Sequence, residues 1–136
     1  MRLSLSAAER QRQIYDKTTA LTFRAASKLL WGFQMDKLVY SLATDKDIAF
    51  ICKTYNENID ALHGVFRDEA TWKKLMADPA NTYYVVTANE PVAWFRTEVE
   101  DGALWIGMLQ VAPAFQRKGI GKYILSVVEK MAKTQG

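Results

Sequence analysis

The sequence predicts an α/β fold in which a mixed or antiparallel sheet carries helices on its faces. Three observations lead there. Three stretches rich in β-branched and aromatic residues, 82–88, 92–99 and Ala103–Val111, follow one another with only turn residues between them. They are flanked by segments in which apolar residues recur at helical spacing. Asp101-Gly102 joins the last two strands and suits a type I′ hairpin turn, which needs positive φ at both positions, so those strands pair antiparallel.

Composition narrows the class. The chain has 136 residues, 49% hydrophobic and 24% charged, enough for one domain with a real core. No apolar run approaches the ~18 residues that cross a bilayer. The N-terminus has no continuous apolar stretch and carries Glu9, Arg10 and Arg12, unlike a secretory signal, so a cytoplasmic location is expected. Cys52 is the single cysteine and His63 the single histidine, which argues against an internal disulfide and against a metal site. Residues 1–37 hold seven basic and three acidic side chains, whereas the rest hold eleven and twelve. Attraction to an anionic partner would therefore begin at the N-terminal arm.

The elements follow in order. Ser6 and Glu9 have the spacing of a capping box. Tyr15, Thr19, Phe23, Ala26, Leu30 and Phe33 then share one helical face, opposite Arg10, Lys17, Arg24 and Lys28. This predicts an N-terminal helical extension over 1–36 with a solvated basic face. A membrane-surface or nucleic-acid helix is the less favoured reading, because Ile14 and Leu21 interrupt the basic side. A strand is predicted over 37–43, after which Thr44 caps a helix whose first turn holds Asp45 and Asp47. Ile48, Ile51, Cys52, Tyr55, Ile59 and Leu62 form its buried stripe, so Cys52 is read as core. His63 and Gly64 end it. A second short helix carries Val65, Phe66, Trp72, Leu75 and Met76 and stops at Pro79. After the three strands a last helix buries Ile120, Ile124, Val127 and Met131.

The most informative stretch is 109–125, LQVAPAFQRKGIGKYIL. A strand ends at Val111, and the chain enters a helix through Gln116-Arg117-Lys118-Gly119-Ile120-Gly121. Glycines admit an anion close to the backbone, the helix start offers unpaired N–H groups, and Arg117, Lys118 and Lys122 add positive charge. Such a loop suits a pyrophosphate. It is neither a Walker loop nor a dinucleotide fingerprint.

Gln-x-x-Gly-x-Gly at 116–121, after Leu109-Gln110-Val111 and Pro113, resembles the signature of the GNAT acetyltransferase superfamily. The order of elements over 37–136 is similar to that family's first strand through third helix. The resemblance implies a GNAT-like domain over 37–136 that binds acetyl-coenzyme A and moves its acetyl group to a small-molecule or peptide amine. It implies that the backbone of 116–121 cradles the pyrophosphate, that the main chain of Val111 pairs with the pantetheine arm, and that the N–H of Leu109 stabilises the developing oxyanion. The alternative is a coenzyme A-binding module without chemistry, completed by a partner chain.

Two departures bear on this. Some members of the family place a carboxylate four residues before the oxyanion residue, where this chain has Trp105. The family also continues beyond its third helix with a further strand, a helix and a hairpin, so the Ala103–Val111 strand is expected to form an open apolar edge in a fragment or in a chain that pairs with another copy or partner. A replacement base comes from the hairpin: with a two-residue turn, Glu98 lies opposite Trp105, sharing a face with Arg96, Trp94, Leu109 and Val111, while Met108 falls on the other face. An Arg96–Glu98 ion pair at a sheet surface is the plainer reading of the same residues. Asp60, Asp68 and Glu69 are the acidic residues near the two-helix loop that would attract a cationic acceptor, although solvated loop acids are the commoner case.

Overall fold

A computed structural model describes residues 2–3, 37–59 and 63–135. Its elements are β1 (Arg2–Leu3), β2 (Val39–Leu42), α1 (Ile48–Glu57), α2 (Glu69–Ala77), β3 (Asn81–Thr87), β4 (Pro91–Glu100), β5 (Ala103–Val111) and α3 (Ile120–Gln135). The sheet order is β1-β5-β4-β3-β2. β2 through β5 are antiparallel neighbours, and β1 runs parallel to β5.

Local chemistry explains the boundaries. Asp101 and Gly102 have φ of 51° and 73°, as a type I′ turn requires, and the flanking pair Glu100↔Ala103 starts a ladder that includes Glu98↔Trp105. Thr44 precedes a 3₁₀ turn, Asp45–Asp47, that feeds α1, and its N–H donates to Asp47 Oδ2 at 2.8 Å. The second helix starts later than its apolar pattern suggested. Asp68 Oδ1 accepts from the N–H and the hydroxyl of Thr71 at 2.8 and 2.7 Å, so the helix begins at Glu69. Val65 and Phe66 lie in the preceding loop, 77% and 68% exposed.

The sheet separates two apolar layers. On one face α3 lays Ile120, Ile124, Val127 and Val128 against Val86, Phe95, Leu104, Ile106, Leu109 and Val111. On the other, α1 and α2 pack Ile51, Cys52, Tyr55 and Trp72 against Tyr83, Val85 and Trp94. Trp72 is fully buried, edge-on to Tyr55 at 5.1 Å and to Trp94 at 5.3 Å. Trp72→Ala is expected to cost about 3–5 kcal/mol, a large share of a domain's typical ~5–15. Urea unfolding monitored by circular dichroism checks this.

The strict alternation expected across β4 and β5 fails at one residue. Thr97 faces Ile106 but Arg96 faces Met108, so Gly107 is an extra residue in β5, a β-bulge. Beyond it every side chain changes face. Leu109 and Val111 join the α3 core instead of sharing Glu98's face, and Met108 and Gln110 take their place beside Arg96 and Trp94.

The edge of β5 also differs from expectation. Arg2↔Ala103 and Leu3↔Leu104 place the chain's own N-terminal strand along its first two residues. Arg2–Leu3 is thus strand within the span expected to be a helical extension; the helix expected from residue 6 lies outside the described residues.

Candidate functional site

The carboxyl end of β5, the loop after it and the start of α3 form one corner of the molecule. Ala112 N–H donates to Val92 O at 2.9 Å. In an antiparallel ladder this makes Ala93/Val111 a pair that exchanges no hydrogen bonds of its own, and Phe95/Leu109, two residues on in the same register, is another. The N–H and C=O of Leu109 and Val111 therefore point away from β4, toward the edge that β1 covers only at Ala103 and Leu104. The bulge reverses the side chains of these two residues and, with them, turns their polar groups from β4 to the outer edge.

The Val111 carbonyl is already engaged. It accepts from Asn58 Nδ2 at 3.0 Å and from Gln116 Nε2 at 3.1 Å. Gln116 Nε2 also donates to Asn58 Oδ1 at 3.0 Å, and Asn58 Nδ2 to Gln110 Oε1 at 3.1 Å. This amide cluster ties the end of α1 to the loop.

After the 3₁₀ turn Pro113–Phe115, Arg117 and Gly119 take positive φ, 62° and 87°. Those values turn the chain sharply into α3 at the positive end of its helix dipole. Gly119 and Gly121 are buried, and Tyr123 N–H bonds Gly119 O at 3.0 Å. The arrangement fits a phosphate-bearing ligand: small residues at the turn, the N-terminus of a 16-residue helix, and Arg117, Lys118 and Lys122 close by in sequence. Tyr123 donates its hydroxyl to Leu38 O at 3.3 Å, on the α3 side of the sheet.

A cleft of about 320 Å³ opens beside this corner, lined by Tyr55, Gly64, Arg67, Gly107, Met108, Leu109 and Gln110. The structure brings Leu109 to it. Glu98 is not among its lining residues. It stands opposite Trp105 as expected, on the face of Arg96, with 4.0 Å between Arg96 Nη2 and its carboxylate. Arg96 in turn lies over Gly107, where an added Cβ would collide with its guanidinium.

Other expected residues fall as follows. Cys52 is buried in the core, and burial, with the charges of Glu69 and Asp68, pushes its thiol pKa up; it donates weakly to Arg67 O at 3.3 Å. Both effects disfavour the thiolate, the form a nucleophilic cysteine needs. α1 ends at Glu57 with Asn58 as its C-cap, before the stop expected at His63 and Gly64; His63 has φ of 50°, and Gly64 N–H reaches Ile59 O at 3.2 Å. Asp68 is occupied as the α2 cap, and the hydrogen bonds from Thr71 lower its pKa; Glu69 lines a different cleft, with Asp45 and Lys73. Asp60 lies outside the described residues. Sequence reasoning missed Arg67, Asn58 and the side-chain role of Gln116. Asn58 sits at a helix end, an ordinary place for asparagine, and nothing local signals a partner fifty residues away.

Among the described residues no group of three or more potential ligands gathers for a metal, and no helix is long and apolar enough to cross a membrane.

Comparison with known proteins agrees with this geometry. No curated protein matches the chain. Among solved structures, a possible acetyltransferase from Clostridium difficile 630 is 25% identical, with 69% of this chain and 70% of that one covered and a TM-score of 0.58. A ribosomal-protein-alanine N-acetyltransferase from Brucella melitensis biovar Abortus 2308 shares the fold at 16% identity, covering 72% and 73%, with a TM-score of 0.62. The PaiA N-acetyltransferase of Thermoplasma acidophilum, in complex with coenzyme A, shares it at 14%, covering 73% and 74%, with a TM-score of 0.56. The model of the acetyltransferase (GNAT) family matches residues 47–136, two-thirds of the sequence and every element from α1 to α3, and the chain belongs to that family.

Proposed function

We propose that the chain is an N-acyltransferase that moves an acetyl group from acetyl-coenzyme A to an amine. The observation that carries this reading is the alignment of three features at one corner. These are the outward N–H groups of Leu109 and Val111, the positive-φ loop at Arg117 and Gly119 leading into α3, and a cleft that reaches Leu109. The coenzyme A complex of a structural neighbour supports a cofactor of this kind.

The first-turn N–H groups of α3 and the backbone of 116–121 would hold the pyrophosphate, with Arg117, Lys118 and Lys122 adding charge. Val111 would offer its outward N–H to the pantetheine arm. Its carbonyl becomes available once Gln116 and Asn58 swing aside. Bound acetyl-coenzyme A supplies an acyl carbon whose C–S bond breaks as the new N–C bond forms, the sulfur keeping the electron pair and ending protonated. The N–H of Leu109 faces the edge where negative charge would build on the carbonyl oxygen. An ammonium ion cannot attack, so the acceptor must first lose a proton. Glu98 is the proposed base. Strand spacing of ~3.3 Å per residue puts it about 10 Å along β4 from Phe95, the partner of Leu109, so its proton would travel through a water chain past Arg96.

The test is release of free thiol from acetyl-coenzyme A in the presence of a panel of amines, with the acetylated product identified by mass. Coenzyme A binding without any turnover would favour the non-catalytic module. For the base, Glu98→Gln is expected to lower kcat about a hundredfold at about pH 6 and much less at about pH 9, where more of the free amine is neutral. Equal rates for mutant and wild type across that range would leave Glu98 as the surface partner of Arg96.

A further inference from the structure

We propose that the acceptor is a small amine that carries a carboxylate, held at that carboxylate by Arg67. The inference rests on the acyl-transfer reading above.

The first observation is how Arg67 is built in. It lies in the loop between α1 and α2, where a long cation would ordinarily wave in solvent. Its backbone is instead clasped from both sides by one side chain of α1: Arg67 N–H donates to Asn56 Oδ1 at 3.1 Å, and Asn56 Nδ2 donates to Arg67 O at 2.7 Å. Its guanidinium lies over two rings, 4.9 Å from the centre of Tyr55 and 5.2 Å from that of Trp72. Tyr55 is itself pinned, its hydroxyl donating to Val65 O at 3.1 Å. Cation–π contact with two inclined rings holds the guanidinium in place, and its forked N–H donors match a planar, bidentate acceptor such as a carboxylate. Most of the ordering cost of the side chain is thus met before any ligand arrives.

The second observation is where Arg67 points. It lines the cleft that also contains Leu109 and the bulge at Gly107, so an amine seated near Leu109 has its other substituents within that same cleft. None of the described residues lining the cleft is a carboxylate. Arg96, the second guanidinium nearby, lies over Gly107 at the cleft floor. Of the acidic residues that might have drawn a polycation, the two described ones are engaged elsewhere: Asp68 caps α2, and Glu69 faces the other cleft. A cationic wall next to the acceptor also disfavours the ammonium form, which is the form that cannot attack. The lining therefore selects for an anion on the acceptor and against extra positive charge.

The experiment compares amino acids with their primary carboxamides, glycine with glycinamide and so on through a panel, under acetyl-coenzyme A turnover. The free acids are expected to exceed the amides by about ten- to a hundredfold in kcat/KM, the size of a charge-assisted hydrogen-bonded pair. Arg67→Met, which keeps an apolar stem over the rings, is expected to bring that ratio to about one by raising KM for the acids, and Arg67→Lys to restore part of it. Coenzyme A thermal shifts on each variant show that the fold and the cofactor site are intact. Turnover in which amides equal or exceed acids overturns the carboxylate assignment and leaves the acyl-transfer reading standing. Coenzyme A binding with no turnover of any amine overturns that reading and this assignment with it.

Discussion

Gly119→Asp is expected to abolish the thermal stabilisation that coenzyme A gives the wild-type chain. At a hundredfold excess over its dissociation constant a ligand that binds only the folded state contributes about 2.7 kcal/mol, which for a domain of this size is a shift of several degrees. Gly119 has a φ of 87°, where any side chain is strained, and it is buried at the entrance to α3. An aspartate there would add a carboxylate beside the proposed phosphate site and bring repulsion where the helix start offers attraction. Gly121→Asp, one residue into the helix, places the same charge without the positive-φ strain and separates the two effects. Differential scanning fluorimetry with and without coenzyme A reads both. An unchanged shift in either variant would show that the cofactor does not sit on this loop.

Leu109→Pro is expected to lower kcat about a hundred- to a thousandfold, the usual cost of one oxyanion donor. The substitution is normally ruinous in a strand because proline lacks the N–H that the ladder needs. Here the N–H of Leu109 faces away from β4, so no bond of the β4–β5 ladder is lost, and Met108 before it is already extended, as the residue before a proline must be. Leu109→Ala is the control: it empties part of the α3 core but keeps the N–H, so it should lose stability and little kcat. A proline variant that folds, still shifts with coenzyme A and turns over normally would remove Leu109 from the mechanism.

The second expectation depends on the bulge at Gly107, and the bulge marks how far the sequence could be read. An apolar-alternation argument assumes one residue per step on each strand. Under that assumption Leu109 and Val111 share a face with Glu98. One extra residue in β5 reverses them, and the α3 core then explains why Leu109, Val111, Ile106 and Leu104 are all apolar although they no longer alternate evenly. No residue type announces a bulge, since a glycine in a strand is as easily a weak spot as an insertion. The second helix failed for a related reason. Val65 and Phe66 are apolar and precede a helical stripe, but Asp68 is the better cap, and a cap satisfies backbone donors that two exposed apolar side chains cannot.

What the sequence determined by itself was local: the Asp101-Gly102 turn, the capped 3₁₀ turn that leads into α1, the apolar stripe of α3, and the glycine-opened loop that resembles a phosphate cradle. These depend on backbone preferences and spacing within a few residues, and those are written in the residues concerned. Tertiary structure alone decided what meets across distance. Asn58 reaches Val111 and Gln116, Asn56 clasps Arg67 over the rings of Tyr55 and Trp72, and Arg2–Leu3 lies along the start of β5. Each of these pairs is an ordinary amide, cation or strand segment with many partners of equal chemistry in the sequence. Only the packing of α1 and α2 against one face of the sheet, and α3 against the other, selects which of them come within hydrogen-bonding distance.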